Sequence, residues 1–270
     1  PDFGLAVENA IIYLIKVGEK NRGKLTTSTT NKTWCYEHAI ATYALAEAYI
    51  ACKAYNITIP NLKETVMAAG HFIMDNQHKS GGWDYGYDTD GTRGGDTSTT
   101  SWHLQALMAC KISKLFDQET LELSAKNGIK YLEGAKNGRG TVGYGTHGNN
   151  LARGPTMTPG AALCFQQWGK GNRSFTRNAI IWITTTYEFN YKTDANLYMH
   201  YHSSHAMINA GGKAWADYNT KTMPNLAAAQ NEDGSWNLPG GASHGLSSKH
   251  YATCLSTLML ESYYRFIPQK

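Results

Sequence analysis

The sequence predicts an all-α chain built as an array of helical hairpins, and three observations carry that prediction. A seven-residue signature occurs twice, QHKSGGW from Gln77 to Trp83 and QNEDGSW from Gln230 to Trp236, each closing one helical pattern just before another begins. Apolar residues recur at three-to-four spacing over most of the chain, and Gly, Asn, Ser and Thr gather between the periodic segments. Runs of Val, Ile and Thr of strand type are nearly absent. The two signatures stand three periods of about 50 residues apart, the spacing of a repeated unit that buries its apolar face by stacking on its neighbours.

Taken in order, the periodic segments form two alternating series. An outer series runs from Leu5 to Lys20, Leu62 to Asn76, Gln118 to Leu132, Ser174 to Phe189 and Lys213 to Ala229. An inner series, from Tyr36 to Tyr55, Thr99 to Leu115, Thr158 to Trp168, Leu197 to Ala210 and His250 to Phe266, is richer in Ala, Gly, Ser and Cys. Small residues let helix backbones approach closely, so this series is assigned to the inside. Asp96, Thr97 and Ser98 are N-cap candidates for one inner helix. Thr156 and Thr158 serve the next, with Pro159 in its first turn. Long glycine-containing loops precede the inner helices, and shorter turns such as Asn56 to Asn61 follow them. No linker divides the chain, so residues 1–270 are expected to form a single domain, which can itself be part of a longer protein.

In the signature, Gln at a helix end can bond orphan backbone groups, Gly permits the turn and Trp covers it. Gln77, Gly81, Trp83, Gln230, Gly234 and Trp236 are therefore expected to be structural. Degenerate copies are expected at Gly138 to Gly145, with Tyr144 in place of Trp, and near Gly18 to Leu25.

Composition narrows the function classes. With 270 residues and 41% hydrophobic content the chain can bury a large core. The net charge of +4 is spread without a basic run, which argues against nucleic acid as a partner. No apolar stretch reaches the length of a membrane span; Ala39 to Cys52 is interrupted by Glu47. The reading is of a soluble domain, cytoplasmic or envelope-associated, whose leader or anchor a trimmed start at Pro1 could have removed. Five cysteines, Cys35, Cys52, Cys110, Cys164 and Cys254, lack zinc-finger spacing and read mostly as buried thiols.

The two signatures with helical hairpins between them resemble the prenyltransferase and squalene-cyclase repeat superfamily. Segments beginning at Tyr36 (YEHAIATYALAEAY), Gly94 (GGDTSTTSWHLQALMA) and Thr156 (TMTPGAALCFQQWG), and the ending TLMLESYYRFIP at Pro268, resemble a bacterial branch of it whose biochemistry is generally unassigned. The resemblance implies an α/α toroid of about five to six helical hairpins. It also implies where chemistry would sit. Squalene-type cyclases protonate an alkene with an Asp-x-Asp-Asp motif opening an inner helix; the nearest segment here is RGGDT, Arg93 to Thr97, where Asp96 and Thr97 match the end of the motif but Gly94 and Gly95 stand in places where carboxylates are expected. Asp96 then reads as an N-cap, and Asp88 and Asp90 as solvated turn residues. The zinc prenyltransferases hold a metal with Asp, Cys and His. Here only His250 and Cys254, at i and i+4 on one helix face, fit such a pair, so no cofactor or metal is assigned.

Aromatic and imidazole side chains gather at the starts of the inner helices: Trp34, Tyr36 and His38; Asp96, Trp102 and His103; Tyr198, His200, Tyr201, His202 and His205; His250 and Tyr251. Parallel inner helices would bring these starts to one end, where positive dipole ends favour polar or anionic ligands. His200, His202, His205 and His250 are expected to line one opening; each ring can alternatively be a hydrogen-bonded packing residue. With 17 Tyr against 7 Phe, the cavity is expected to be polar or amphipathic. The leading reading is a module binding a small amphipathic ligand or a protein or peptide. The alternatives are a diverged enzyme in the same cavity, cyclase-like or lyase-like with Tyr and His as acid and base, and a structural repeat of an envelope assembly.

Overall fold

The computed structural model describes residues 2–137, 140–146, 155–186, 188–193, 195–240 and 248–264. Among them ten α-helices follow one another: α1 Asp2–Lys20, α2 Trp34–Ala54, α3 Leu62–Asp75, α4 Thr97–Ser113, α5 Gln118–Gly134, α6 Thr158–Phe165, α7 Ser174–Thr186, α8 Leu197–Ala210, α9 Gly212–Ala227 and α10 Lys249–Leu260. These are the ten expected segments, with ends shifted by a few residues. One difference is α6, which stops at Phe165 and passes into a π-helical turn, Gln166–Lys170, in which Gly169 takes a left-handed φ of 75°. Beyond α10 a short 3₁₀ turn, Glu261–Tyr263, replaces the last expected helical turns, and the expected end at Phe266 lies outside the described residues.

The chain divides into two compact units, Pro1–Ala135 with Tyr144–Leu151, and Lys136–Gly143 with Ala152–Lys270. In the first, α2 and α4 lie side by side and α3 and α5 cover them. In the second, α6, α8 and α10 are neighbours in series, with α7 and α9 against them. The inner and outer assignments follow from burial. α4 and α8 are buried almost all round, whereas α3, α5, α7 and α9 bury one stripe.

The repeated signatures act as brackets between helices. Gln77 donates to the carbonyls of Gly81 (2.6 Å) and Ser124 (2.9 Å), and Gln230 donates to that of Gly234 (2.9 Å). Each Trp indole donates back to a carbonyl of the preceding helix, Trp83 to Ile73 and Trp236 to Leu226. Each Trp backbone N–H donates forward to a threonine hydroxyl 17 residues on, Thr100 or Thr253. Both indoles are almost wholly buried, so every polar atom they carry inward is satisfied.

The degenerate third copy needs a correction. Val142, not Tyr144, takes the tryptophan position. It bridges Lys136 as Trp236 bridges Gln230, and its N–H donates to Thr158 Oγ1. Val142 is fully buried and Tyr144 is half-exposed, so the register is set by the bridge and the threonine, not by ring size. Lys136, in the glutamine position, lays its ammonium over the rings of Phe165 and Phe175. Gly138, where this copy was expected to begin, lies outside the described residues.

Candidate ligand site at the inner-helix starts

In the first unit the expected residues separate into two environments. Trp34, His38 and His103 join Phe72, Tyr87 and Trp83 in a closed aromatic cluster, with ring centroids 4.8 Å apart for Trp34 and Tyr87 and 5.0 Å for His38 and Phe72. His38 Nδ1 accepts from the Leu25 N–H and its Nε2 faces the Ala69 carbonyl. His103 holds the Thr99 carbonyl and the Tyr87 hydroxyl and stacks on Trp83 at 5.1 Å. Burial lowers the pKa of His38 to about 4 and that of His103 to about 3, so both are neutral packing residues at physiological pH. They do not open on a mouth. Trp102 is likewise buried in α4.

Tyr36 and Asp96 belong instead to a polar cluster at the start of α4. Asp96 is completely buried and caps the helix, its Oδ1 accepting from the Ser98 and Thr99 N–H groups (both 3.0 Å) and from Ser98 Oγ (2.5 Å). Its Oδ2 accepts from Arg93 Nη2 at 2.7 Å. Arg93 also reaches the buried Asp84 at 3.4 Å and lies over the Tyr85 ring, 4.2 Å from its centroid. Burial raises the pKa of Asp84, against the Tyr85 N–H and Arg93, which lower it. The Tyr36 hydroxyl stands 2.5 Å from Ser98 Oγ and 3.4 Å from the Tyr85 hydroxyl. Tyr36 and Tyr85 are half-exposed and the Arg93 side chain is 40% exposed, so this cluster has a polar edge open to solvent above a buried carboxylate.

Gly95, one residue before the cap, is walled in. A Cβ there would lie 2.9 Å from Gly82 Cα and 2.9 Å from the Tyr131 ring, and the Tyr131 hydroxyl donates to the Gly95 carbonyl. Gly94 has a φ of 80°, left-handed backbone. Asp88 and Asp90 are exposed, as expected of turn residues.

In the second unit, Tyr198, Tyr201, His202 and His205 come together on α8. The His202 ring is 4.7 Å from Tyr198 and 4.9 Å from Tyr201, and His205 is 4.8 Å from Tyr201. His200 turns the other way, its ring 4.7 Å from Phe189 and its Nδ1 3.3 Å from the Tyr218 hydroxyl of α9. Burial depresses the pKa of His200 to about 3 and of His202 to about 4. His250 is exposed at the start of α10, with its Nε2 3.7 Å from Cys254 Sγ, and Tyr251 is half-buried. The four histidines therefore do not line one opening: His200 belongs to the α8–α9 packing and His250 to the surface. No group of three or more His, Cys, Asp or Glu is arranged to hold a metal among the described residues.

Arg93, Asp84 and Tyr85 were not expected at the site. Their signal was weak, since the Arg93–Asp96 spacing is visible in sequence but Asp84 is reached only through the loop's fold.

The class of fold is shown by solved structures: this is the all-α, terpene-cyclase-like α/α-toroid fold. Similar structures include those of the type II terpene cyclase MstE from Scytonema. A variant of it in complex with merosterolic acid A (product) gives a TM-score of 0.65 at 15% identity over 97% of this chain and 74% of that one. A second variant, in complex with geranylgeranyl dihydroxybenzoate (substrate), gives 0.52 at 18% identity over 81% of this chain. The apo enzyme gives 0.53 at 18% over the same share. The chain spans 61% and 62% of the length of these last two. No protein-family model matches the chain, and no curated protein does. Among the described residues no helix is long and apolar enough to cross a membrane.

Proposed function

We propose that the chain is a binding module with the terpene-cyclase fold, holding a small amphipathic ligand at the inner-helix starts and not initiating cyclisation by protonation. The packing around Gly95 carries this reading. The resemblance implies carboxylates at Gly94 and Gly95; at Gly94 there is space but the left-handed φ of 80° strains any side chain, and at Gly95 the Gly82 backbone and the Tyr131 ring leave no room for a carboxylate. Both oxygens of Asp96 accept hydrogen bonds, from the cap and from Arg93, which leaves no acidic proton aimed at a substrate. Tyr36, Tyr85 and Arg93 support a ligand with a hydroxyl or carboxyl head. The ligands named for the Scytonema cyclase include geranylgeranyl dihydroxybenzoate, an aromatic acid with an isoprenoid chain, which makes it a rational probe.

Native mass spectrometry with geranylgeranyl dihydroxybenzoate tests the binding. The reading expects a one-to-one complex, weakened about tenfold or more by Arg93→Gln, the effect of losing one charge-assisted bond. Failure to form any complex, or a complex indifferent to Arg93→Gln and Tyr85→Phe together, would contradict it.

A second reading is favoured by the short contacts from Tyr36 to Ser98 (2.5 Å) and from Ser98 to Asp96 (2.5 Å). Such a chain can move a proton, which fits a diverged acid–base enzyme at the same place.

A further inference from the structure

The second unit carries a cleft of about 750 Å³ that the reading above does not use. It lies at the C-terminal ends of α6 and α8, whereas Tyr198 stands at the opposite end of α8. Two backbone irregularities build it. The π turn after α6 swings Gly169 out into open space, where even a Cβ would meet nothing within 4 Å. Between α8 and α9, Gly211 and Gly212 take φ of 65° and 52°, again with open space around them. π turns of this kind recur at functional sites.

The lining mixes polar and apolar side chains. Arg177 projects from the first turn of α7, joined by the amides Asn172 and Asn209; Ile180, Ala210 and Ala214 supply apolar wall. Ile181, also in the wall, is 59% exposed, an apolar side chain left uncovered. Arg177 donates to the Asn172 carbonyl, and no carboxylate pairs with it among the described residues. The N-terminus of α9 has no side-chain cap, so the first-turn amides beside Ala214 keep their positive end. Gln166 ties this wall to α8, its Nε2 donating to the Ala206 carbonyl at 2.9 Å, and the exposed Asn209 amide adds an acceptor.

From these features together, we infer that the cleft binds a small hydroxylated organic acid with a short apolar body. The carboxylate meets Arg177 and the uncapped amides of α9, the body lies on Ile180, Ile181 and Ala210, and the hydroxyl donates to the Asn209 amide oxygen. A cation and a helix start select the charge, while the aliphatic wall rejects fully hydrated inorganic anions.

Isothermal titration with 3-hydroxyoctanoate, octanoate and octanol tests this directly. The expected result is saturable one-to-one binding of 3-hydroxyoctanoate, weaker binding of octanoate, and octanol weaker still by about tenfold or more. Arg177→Gln should weaken 3-hydroxyoctanoate by a similar factor. Ala210→Trp, at an exposed position where an indole fills the cleft, should abolish binding with an unchanged thermal melt. No saturable binding, binding that survives both variants, or octanol binding as well as the acids would overturn the inference. None of these outcomes depends on geranylgeranyl dihydroxybenzoate or on Arg93, so the two sites stand or fall separately.

Discussion

Replacing Gly95 with aspartate, which writes a carboxylate into the place the cyclase resemblance implies, is expected to unfold the protein and not to create a cyclase. The new Cβ would sit 2.9 Å from Gly82 Cα on one side and 2.9 Å from the Tyr131 ring on the other. Backbone cannot step aside as a flexible side chain can. Gly82 is confined in turn, since a Cβ there would meet the same ring at 2.9 Å and Thr100 Oγ1 at 2.9 Å. Overpacking alone costs about 1–3 kcal/mol. Burying a carboxylate beside Asp96 and Asp84 adds several kcal/mol more, and the sum is comparable with the roughly 5–15 kcal/mol that holds a domain folded. Gly95→Ala isolates the steric part and should lower the urea midpoint by about 1–3 kcal/mol equivalent. A Gly95→Ala protein with the parent midpoint would show that the site has room, and the missing-acid argument would lose its physical basis.

The second large effect is a loss of stability in mild acid. His38, His103, His200 and His202 are buried and neutral, with pKa values lowered by desolvation to about 4, 3, 3 and 4 from 6.5. The groups facing them are Tyr87, Tyr218 and backbone carbonyls, together with Lys24, which pushes His38 further down, and His38 itself, which pushes His103 down. In the unfolded chain all four titrate near 6.5, so below that pH the unfolded state binds more protons. The stability they confer is complete above about pH 7 and drains as pH falls from 6.5 towards 3–4, each contributing up to about 1.4 kcal/mol per pH unit. Asp84, whose pKa burial raises, acts in the opposite direction at the acid end. Urea titrations at pH 7, 6 and 5 should give a slope approaching four protons at pH 5, and His103→Gln should remove about one of them. A flat profile between pH 7 and 5 would mean that these rings are solvated in the native state.

The scaffold was legible because its signals are local and repeated. Gln, Gly and Trp at fixed offsets report helix ends whatever surrounds them, and the same bonds recur at Trp83 and Trp236. The third copy was misplaced because a valine leaves no compositional mark. Thr158 bonds Val142 as Thr100 and Thr253 bond their tryptophans, but from 16 residues on where those stand 17 on, so a fixed offset does not find it. The site was less legible for a different reason. Inner helices such as α4 are buried almost all round, so no apolar stripe tells which side a histidine faces. His38 and His103 consequently joined an aromatic core, and His200 turned to Tyr218, although each stands near a helix start as expected. Asp96 was recognised as a cap, but its tie through Arg93 to Asp84 and Tyr85 depends on a loop conformation that sequence periodicity does not describe.

We propose that this terpene-cyclase fold does not supply the acid that starts type II cyclisation. Incubating the purified protein with geranylgeranyl dihydroxybenzoate and, separately, with squalene, followed by mass-spectrometric and chromatographic analysis of the extracts, measures it most directly. Unchanged substrate, recovered in full while the protein remains folded, is the predicted result; a cyclised product accumulating in proportion to protein would contradict it.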